Sequence, residues 1–297
     1  MPATAARRKA TLIGGTAVML WATLALLTTL TGNVPPFQLV AMSFAIGGGL
    51  ALLKWIVRRQ PIFAPGGFLR QPIGAWALGT GGLFLYHFFY FLALRSAPPV
   101  EAALINYLWP VLIVVFAAFL PGERLRWFHT VGVLAGLVGT VLLVTGGQWI
   151  APRSEYVGGY LAAAACGVVW SGYSVLNRRY AGVPSESVGG FCLATAMLAA
   201  ICHLLFEPTV WPQGAQWLAV VGLGVGPVGI AFFTWDYGCK HGDIQALGVA
   251  AYAAPLLSTL LLILFGQAAL TWPVGIACLL ITGGAVIASR DMWRRRD

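Results

Sequence analysis

Charge is what this chain has least of. Of its 297 residues only 9% are Asp, Glu, Lys or Arg, nine of these are acidic, and histidine occurs four times. An ordinary soluble domain carries about a quarter of its residues as charges, so a water-soluble globule of this length is excluded. The usual catalytic signatures are missing as well. There is no His-Glu-x-x-His, no Gly-x-Ser-x-Gly and no Walker loop, and no polar stretch is long enough for a nucleotide-handling domain. His241 and Asp243 stand beside Lys240, but in a short turn that reads as solvated. An enzyme is therefore not expected, with an intramembrane enzyme or a lipid scramblase as the competing classes. The five cysteines (Cys166, Cys192, Cys202, Cys239 and Cys278) lack metal-ligand or redox spacing and read as free thiols. No cofactor and no metal is implied.

What the chain has is apolar sequence: 59% of its residues are hydrophobic, and the mean hydropathy is +0.82. Runs of about 20 apolar residues, the length that crosses hydrocarbon as a helix, recur near 10–30, 36–57, 72–94, 98–120, 127–145, 157–177, 186–206, 215–237, 243–265 and 271–289. The expected class is an all-α integral membrane protein with ten transmembrane helices. The basic lead-in of Arg7, Arg8 and Lys9 resembles a signal peptide, but no small-residue cleavage site follows Leu30, so the first helix is read as retained.

Basic residues resist translocation. With a cytoplasmic amino terminus, Arg7, Arg8, Lys9, Lys54, Arg58, Arg59, Arg70, Arg124, Arg126, Arg178, Arg179, Lys240, Arg290, Arg294, Arg295 and Arg296 all fall inside. Only Arg95 and Arg153 fall outside. Both termini are then cytoplasmic, and the net charge of +9 describes topology and contact with the lipid bilayer; it does not describe a nucleic-acid surface.

Sliding the chain on itself by 145 residues places Tyr107 on Tyr252, Pro110 on Pro255, Trp127 on Trp272 and Gly139 on Gly284. A shift of 149 places Trp21 on Trp170 and Pro35 on Pro184. The expected halves are 1–150 and 151–297, five helices each. Because five is odd, the second half must lie inverted. Inverted repeats around a midplane cavity are the architecture of secondary transporters working by alternating access.

Within the fourth run, Asn106, Tyr107, Trp109 and Pro110 crowd into five positions. Pro110 removes the helical partner of the Asn106 carbonyl, and Pro255 does the same to Ala251. Such carbonyls are tolerated at membrane depth only beside protein or cavity water. Asn106 lies near the midplane, where its amide suits both ends of a zwitterion, and helix glue is the plain alternative. Tyr86 and Tyr90 share one face of the third helix. Trp170, Tyr173 and Asn177 share a face of the sixth, and Tyr252, Pro255 and Thr259 a face of the ninth. The expected substrate wall is Trp21, Tyr86, Tyr90, Asn106, Trp109, Trp170, Tyr173 and Tyr252, with Pro110 and Pro255 as hinges. Trp55, Trp127, Trp211, Trp217, Trp272 and Trp293 sit at helix ends and read as an interfacial belt. None of Glu101, His87, His203 or Asp236 is placed at the midplane. A facilitator driven by the substrate gradient is expected, with His87 or Glu101 as the proton-coupling alternative. Gly132 and Gly136 form a small-residue face that either packs against the tenth helix at Gly275, Gly283 and Gly284 or makes a dimer. A monomer is expected.

The stretches WATLALL, INYLWPVLIVVFAAFLPGERLRW and GVLAGLVGTVLLV, with the second copies YAAPLLSTLLLILFGQAALTW and GIACLLITGGAVI, resemble the drug/metabolite transporter superfamily and its ten-helix EamA-type members. The likeness covers essentially the whole chain. Its strongest local match is the corner Gly122-Glu123-Arg124. The second copy, Gly266-Gln267-Ala268, lacks the acidic residue, which speaks against a symmetric role for Glu123. The aromatic-rich polar helices look most like those of bacterial exporters of aromatic amino acids. The resemblance implies a small-molecule substrate, an amino acid, and a bacterial inner-membrane location. Relatives that move other small metabolites and lipophilic drugs leave the substrate open.

Overall fold

The computed structural model describes residues 2–121, 123, 125–266 and 268–290. Among them nine helices are long and apolar enough to cross a membrane. They are α1 (Ala5–Leu30), α2 (Pro36–Val57), α3 (Ile73–Ser96), α4 (Pro99–Ala117), α5 (Trp127–Thr145), α6 (Ser154–Tyr180), α7 (Ser185–Phe206), α8 (Gln216–His241) and α9 (Ile244–Leu264). A tenth, α10 (Trp272–Ala288), has 17 residues, about 25 Å of rise against a hydrocarbon thickness of about 30 Å. The ten coincide with the ten apolar runs of the sequence. Proline opens several of them: Pro36, Pro99 and Pro273 occupy first turns, where a missing amide hydrogen removes no helical bond. Asp243 caps α9, its carboxylate accepting from the Ala246 amide at 3.0 Å.

The closest helix pairs all join the first half of the chain to the second: α5 with α10, α2 with α7, α3 with α6 and α1 with α8. In this apolar setting close approach of backbones holds the helices together, since lipid competes for hydrophobic contact. At the α1/α8 crossing a Cβ on Gly14 would lie 2.8 Å from the Gly238 Cα. At the α5/α10 crossing a Cβ on Gly132 would lie 2.6 Å from the Gly284 carbonyl oxygen. Alanine at either position would force the pair apart. The Gly132 face is thus used within the chain, and Gly136 packs on the Tyr252 ring. Gly275 and Gly283, expected at the same contact, face open space.

Three helices are interrupted in mid-span. α4 breaks at Tyr107 and Leu108, and Pro110 falls in the first turn of the continuing segment Trp109–Ala117. α9 breaks at Ala251 and Tyr252. There the Ala251 carbonyl, expected to be left free by Pro255, instead accepts the Ala254 amide at 3.0 Å. A tighter three-residue turn replaces the lost α-helical bond. α1 breaks after Trp21 without any proline. α8 contains a π-helical turn, Gly226–Ile230, of the kind that gathers at functional positions.

The aromatic belt also needs one correction. Trp127, Trp211, Trp217 and Trp272 are exposed, but Trp55 is fully buried because its ring packs against Phe68 of the loop after α2 at 5.2 Å. Trp293, Arg294, Arg295 and Arg296, with Gly122, Arg124 and Gln267 of the two corners, lie outside the described residues.

Candidate functional site

A cavity of about 630 Å³ lies among α1, α2, α3, α4, α6, α8 and α9. Its floor is a box of indole rings. Trp21 meets Trp109 at 6.3 Å and 88°, and Trp170 at 5.6 Å and 73°. Trp109 meets Trp170 at 6.3 Å and 89°. These edge-to-face contacts are the arrangement aromatic quadrupoles favour. The break in α1 and the break in α4 both serve this box, since Trp21 and Trp109 stand at the ends of helical segments. The Trp21 indole N–H donates to the Pro227 carbonyl at 3.1 Å, a group carried by the π turn of α8. Trp235 closes the box from below, 5.0 Å from Trp21 and nearly parallel to Trp170 at 19°, and its own N–H donates to Ser174 Oγ at 3.0 Å.

One wall is polar and aromatic together. The Tyr86 and Tyr90 rings are parallel within 3° at 6.1 Å. Asn106 Nδ2 donates to the Tyr86 hydroxyl at 3.3 Å, and Asn106 Oδ1 has no partner among the described residues. His87 also lines the cavity, with Nδ1 held 2.7 Å from the Leu83 carbonyl. Nδ1 therefore carries the proton in the neutral ring. Thr28, Thr31, Gly32 and Arg95 mark the mouth. Arg95 is tied there to Glu207 at 3.0 Å, and the same carboxylate accepts the Phe37 and Gln38 amides that begin α2. Among the described residues no carboxylate lines the cavity.

Of the expected wall, the structure brings together Trp21, Tyr86, Tyr90, Asn106, Trp109 and Trp170, with Pro255 beside them. Tyr173 and Tyr252 are not on the wall. Tyr173 is buried behind Trp170 and against Gly82 of α3. Tyr252 donates its hydroxyl to the Tyr107 carbonyl at 3.1 Å. Pro110 lies behind the wall in the α4 core. Glu101 accepts from the Tyr160 hydroxyl, outside the cavity. Asn177 points the other way and donates to Asp236 at 2.7 Å. Phe44, Phe232 and Trp235 belong to the aromatic shell and were not singled out in the sequence. The spacing of Phe232 and Trp235, three residues apart one turn past the glycines of α8, is the signal that would have found them.

Beneath the floor, toward the end opposite Arg95, charges gather from distant segments. Asp236 and Lys240 form a fully buried pair at 2.8 Å, and Lys240 also donates to the Val183 carbonyl at 2.9 Å. Further along, Glu123 is held by Arg7 at 3.0 Å and by Arg178 at 2.5 Å. Arg7 also reaches Asp243 at 3.3 Å, and Arg178 donates to the Gly242 carbonyl at 2.6 Å. This cluster ties α1, the α4–α5 corner, α6 and the α8–α9 turn into one knot.

The family model for the EamA-like transporter family matches the chain twice, over residues 8–145 and 157–290. The chain belongs to the EamA-like transporter family. It is a multi-pass membrane transporter and not an enzyme. Over 286 residues it is 60% identical to the aromatic amino acid exporter YddG of Ancylobacter novellus, covering 95% of this chain and 98% of that protein. It is 26% identical over 294 residues to the protein of the same description from Escherichia coli, with 95% and 97% covered. A crystal structure 58% identical in sequence matches with a TM-score of 0.91, covering 97% of this chain and 100% of that one.

Proposed function

We propose that this EamA-family transporter exports aromatic and other apolar amino acids from the bacterial cytoplasm across the inner membrane. The substrate side chain lies against the indole box of Trp21, Trp109 and Trp170. Its ammonium group is received by Asn106 Oδ1, the one buried side-chain polar atom of the wall without a hydrogen-bond partner among the described residues. The carboxylate end meets the hydroxyls of Tyr86 and Tyr90. That juxtaposition of an unpaired amide oxygen with a ring-lined floor carries the reading, and the description of the 60% identical relative as an aromatic amino acid exporter supports it.

Residues 1–150 and 151–297 are taken as inverted repeats, because the pairing α3 with α6 and α1 with α8 is the exchange that a pseudo-two-fold axis demands. The amino terminus is placed in the cytoplasm on the Lys/Arg bias. The cavity, with its mouth at Arg95, is then open to the outside. The knot of Arg7, Glu123 and Arg178 is the closed inner gate. Alternating access consists of opening that knot as the mouth narrows. Transport runs on the substrate gradient, with His87 as the cavity's candidate for proton coupling, since Glu101 is engaged elsewhere.

Exchange of labelled phenylalanine across vesicles of the pure protein, with and without an imposed pH gradient, tests this. Phenylalanine exchange indifferent to the gradient supports facilitation. Acceleration by an opposing proton gradient assigns antiport. No exchange of any aromatic amino acid would overturn the substrate class.

A further inference from the structure

A second cavity, of about 610 Å³, lies on the flank of the bundle, within the range of about 300–1,000 Å³ that small-molecule sites occupy. It runs between α2 and α8 from Gly47 and Val225 in mid-helix to Lys54 and His241 at one helix end, and the 181–186 turn closes its base. Leu50, Ala51, Ile230, Phe233 and Tyr237 make its body apolar. Its head end is polar and of mixed sign. Lys54 and Glu186 stand 3.7 Å apart, both partly exposed, too far for a direct hydrogen bond and so with donor and acceptor capacity to spare. The Ser185 hydroxyl at the same end is buried and has no hydrogen-bond partner among the described residues.

We propose that this groove binds a phosphatidylethanolamine molecule of the inner leaflet. One acyl chain occupies the apolar body up to the π turn of α8. The phosphate lies at Lys54 and accepts from Ser185, and the primary ammonium donates to Glu186. A choline headgroup has no N–H for that carboxylate. A glycerol headgroup brings the same phosphate but only neutral hydroxyls, so the Glu186 carboxylate would face no compensating cation. The assignment rests on the orientation of the chain proposed above and not on its substrate.

The site also shares a wall with the central cavity. Val225, just before the π turn, and Gly229 and Ile230 within it face the groove, while Pro227 and Val228 of the same turn face the cavity, where the Pro227 carbonyl holds Trp21. A chain seated in the groove therefore bears on the segment that positions the indole box.

The experiment uses the full-length protein in phosphatidylcholine nanodiscs with a trace of phosphatidylethanolamine carrying a diazirine near one acyl terminus. After irradiation, adducts should concentrate on Val225, Ile230 and Phe233 over the exposed controls Leu161 and Leu279. Excess unlabelled phosphatidylethanolamine should displace them and phosphatidylglycerol should not. Glu186→Gln should lower the yield about tenfold, the loss of one hydrogen bond between charged groups, and Lys54→Ala, which removes a phosphate contact that phosphatidylcholine shares, should lower it less. The charge exchange Lys54→Glu with Glu186→Lys should recover yield over either single change. Adducts spread evenly over Leu161, Leu279 and the groove would overturn the site. Equal displacement by phosphatidylglycerol or by diacylglycerol would overturn the headgroup assignment. Because the readout is lipid labelling, it is independent of whether phenylalanine is transported.

Discussion

The Tyr252 hydroxyl donates to the Tyr107 carbonyl at 3.1 Å, so the break in α9 supplies the bond that the break in α4 requires. The two tyrosines are 145 positions apart, the offset that aligns the two halves of the chain. A carbonyl released from its helix inside a membrane must find a donor, and here the repeat provides one for itself. Tyr252→Phe should leave a buried acceptor unsatisfied, at about 1–3 kcal/mol. A lower melting temperature in detergent with unchanged phenylalanine affinity is expected. Weakened binding at unchanged stability would return Tyr252 to the substrate wall.

Tyr90→Ala and Trp170→Phe should weaken phenylalanine export with little loss of folded protein. Each removes ring surface facing the cavity, and an aromatic pair contributes about 0.5–1.5 kcal/mol beyond its buried area. Phenylalanine should lose more than alanine does. Full truncation of Trp170 is the poorer test, because its ring also touches Trp235, Phe232 and Tyr173 and supports the core. Equal loss for both substrates would argue against ring recognition.

The helices were legible in the sequence because hydrocarbon imposes one length and one composition on every span. The cavity was legible in part: Trp21, Tyr86, Tyr90, Asn106, Trp109 and Trp170 stand out as polar or ring-bearing side chains at depth. Tyr173 and Tyr252 did not separate from them, since helical periodicity gives a face but not which neighbour the face meets. The ion knot was hidden for another reason. Arg7, Glu123, Arg178 and Asp243 come from four distant segments, and each alone reads as an ordinary loop charge.

Lys240→Ala should be strongly destabilising, because it leaves Asp236 buried beside Asn177 without its cation. Removing one member of a buried pair typically costs about 3–5 kcal/mol. Combining Lys240→Met with Asp236→Asn should recover much of the loss. Comparison of thermal unfolding of the single and double variants in detergent checks it, and a double variant no more stable than Lys240→Ala would show that the pair does more than cancel charge.

Glu123→Gln should loosen the proposed inner gate. The side chain keeps its size but gives up charge-assisted bonds to Arg7 and Arg178, and a shift of about tenfold toward the inward-open form corresponds to about 1.4 kcal/mol. Cys239, fully buried on α8 beneath the indole box, is a native reporter. Peptide-resolved alkylation of Cys239 should rise in the variant while that of Cys192, buried in α7, stays constant. Parallel increases at both cysteines would indicate general loosening.

The two prolines make the last test. Pro110 and Pro255 follow the breaks of α4 and α9 by two and three residues, and Pro255 touches the cavity. The breaks divide each helix into a half beside the mouth and a half beside the ion knot, so rotation at them would move one end while the other stays packed. Alanine at either position restores an amide hydrogen and removes the ring's clash with the carbonyl four residues back. In α4 the restored amide can then donate to the Asn106 carbonyl, and α9 can trade the short bond between the Ala254 amide and the Ala251 carbonyl for a regular one. Both variants should be folded, at least as heat-stable as the parent, and slow in phenylalanine exchange. If the proposed inverted repeats and gates hold, Pro110→Ala and Pro255→Ala should differ in which end they close. Alkylation of Cys239 beside that of a cysteine introduced at Thr28, which is exposed at the mouth, reads the two ends separately. If exchange runs at the parental rate and neither thiol changes, the prolines shape the helices and the hinge lies elsewhere. The break in α1 after Trp21, which needs no proline, would be the next place to look.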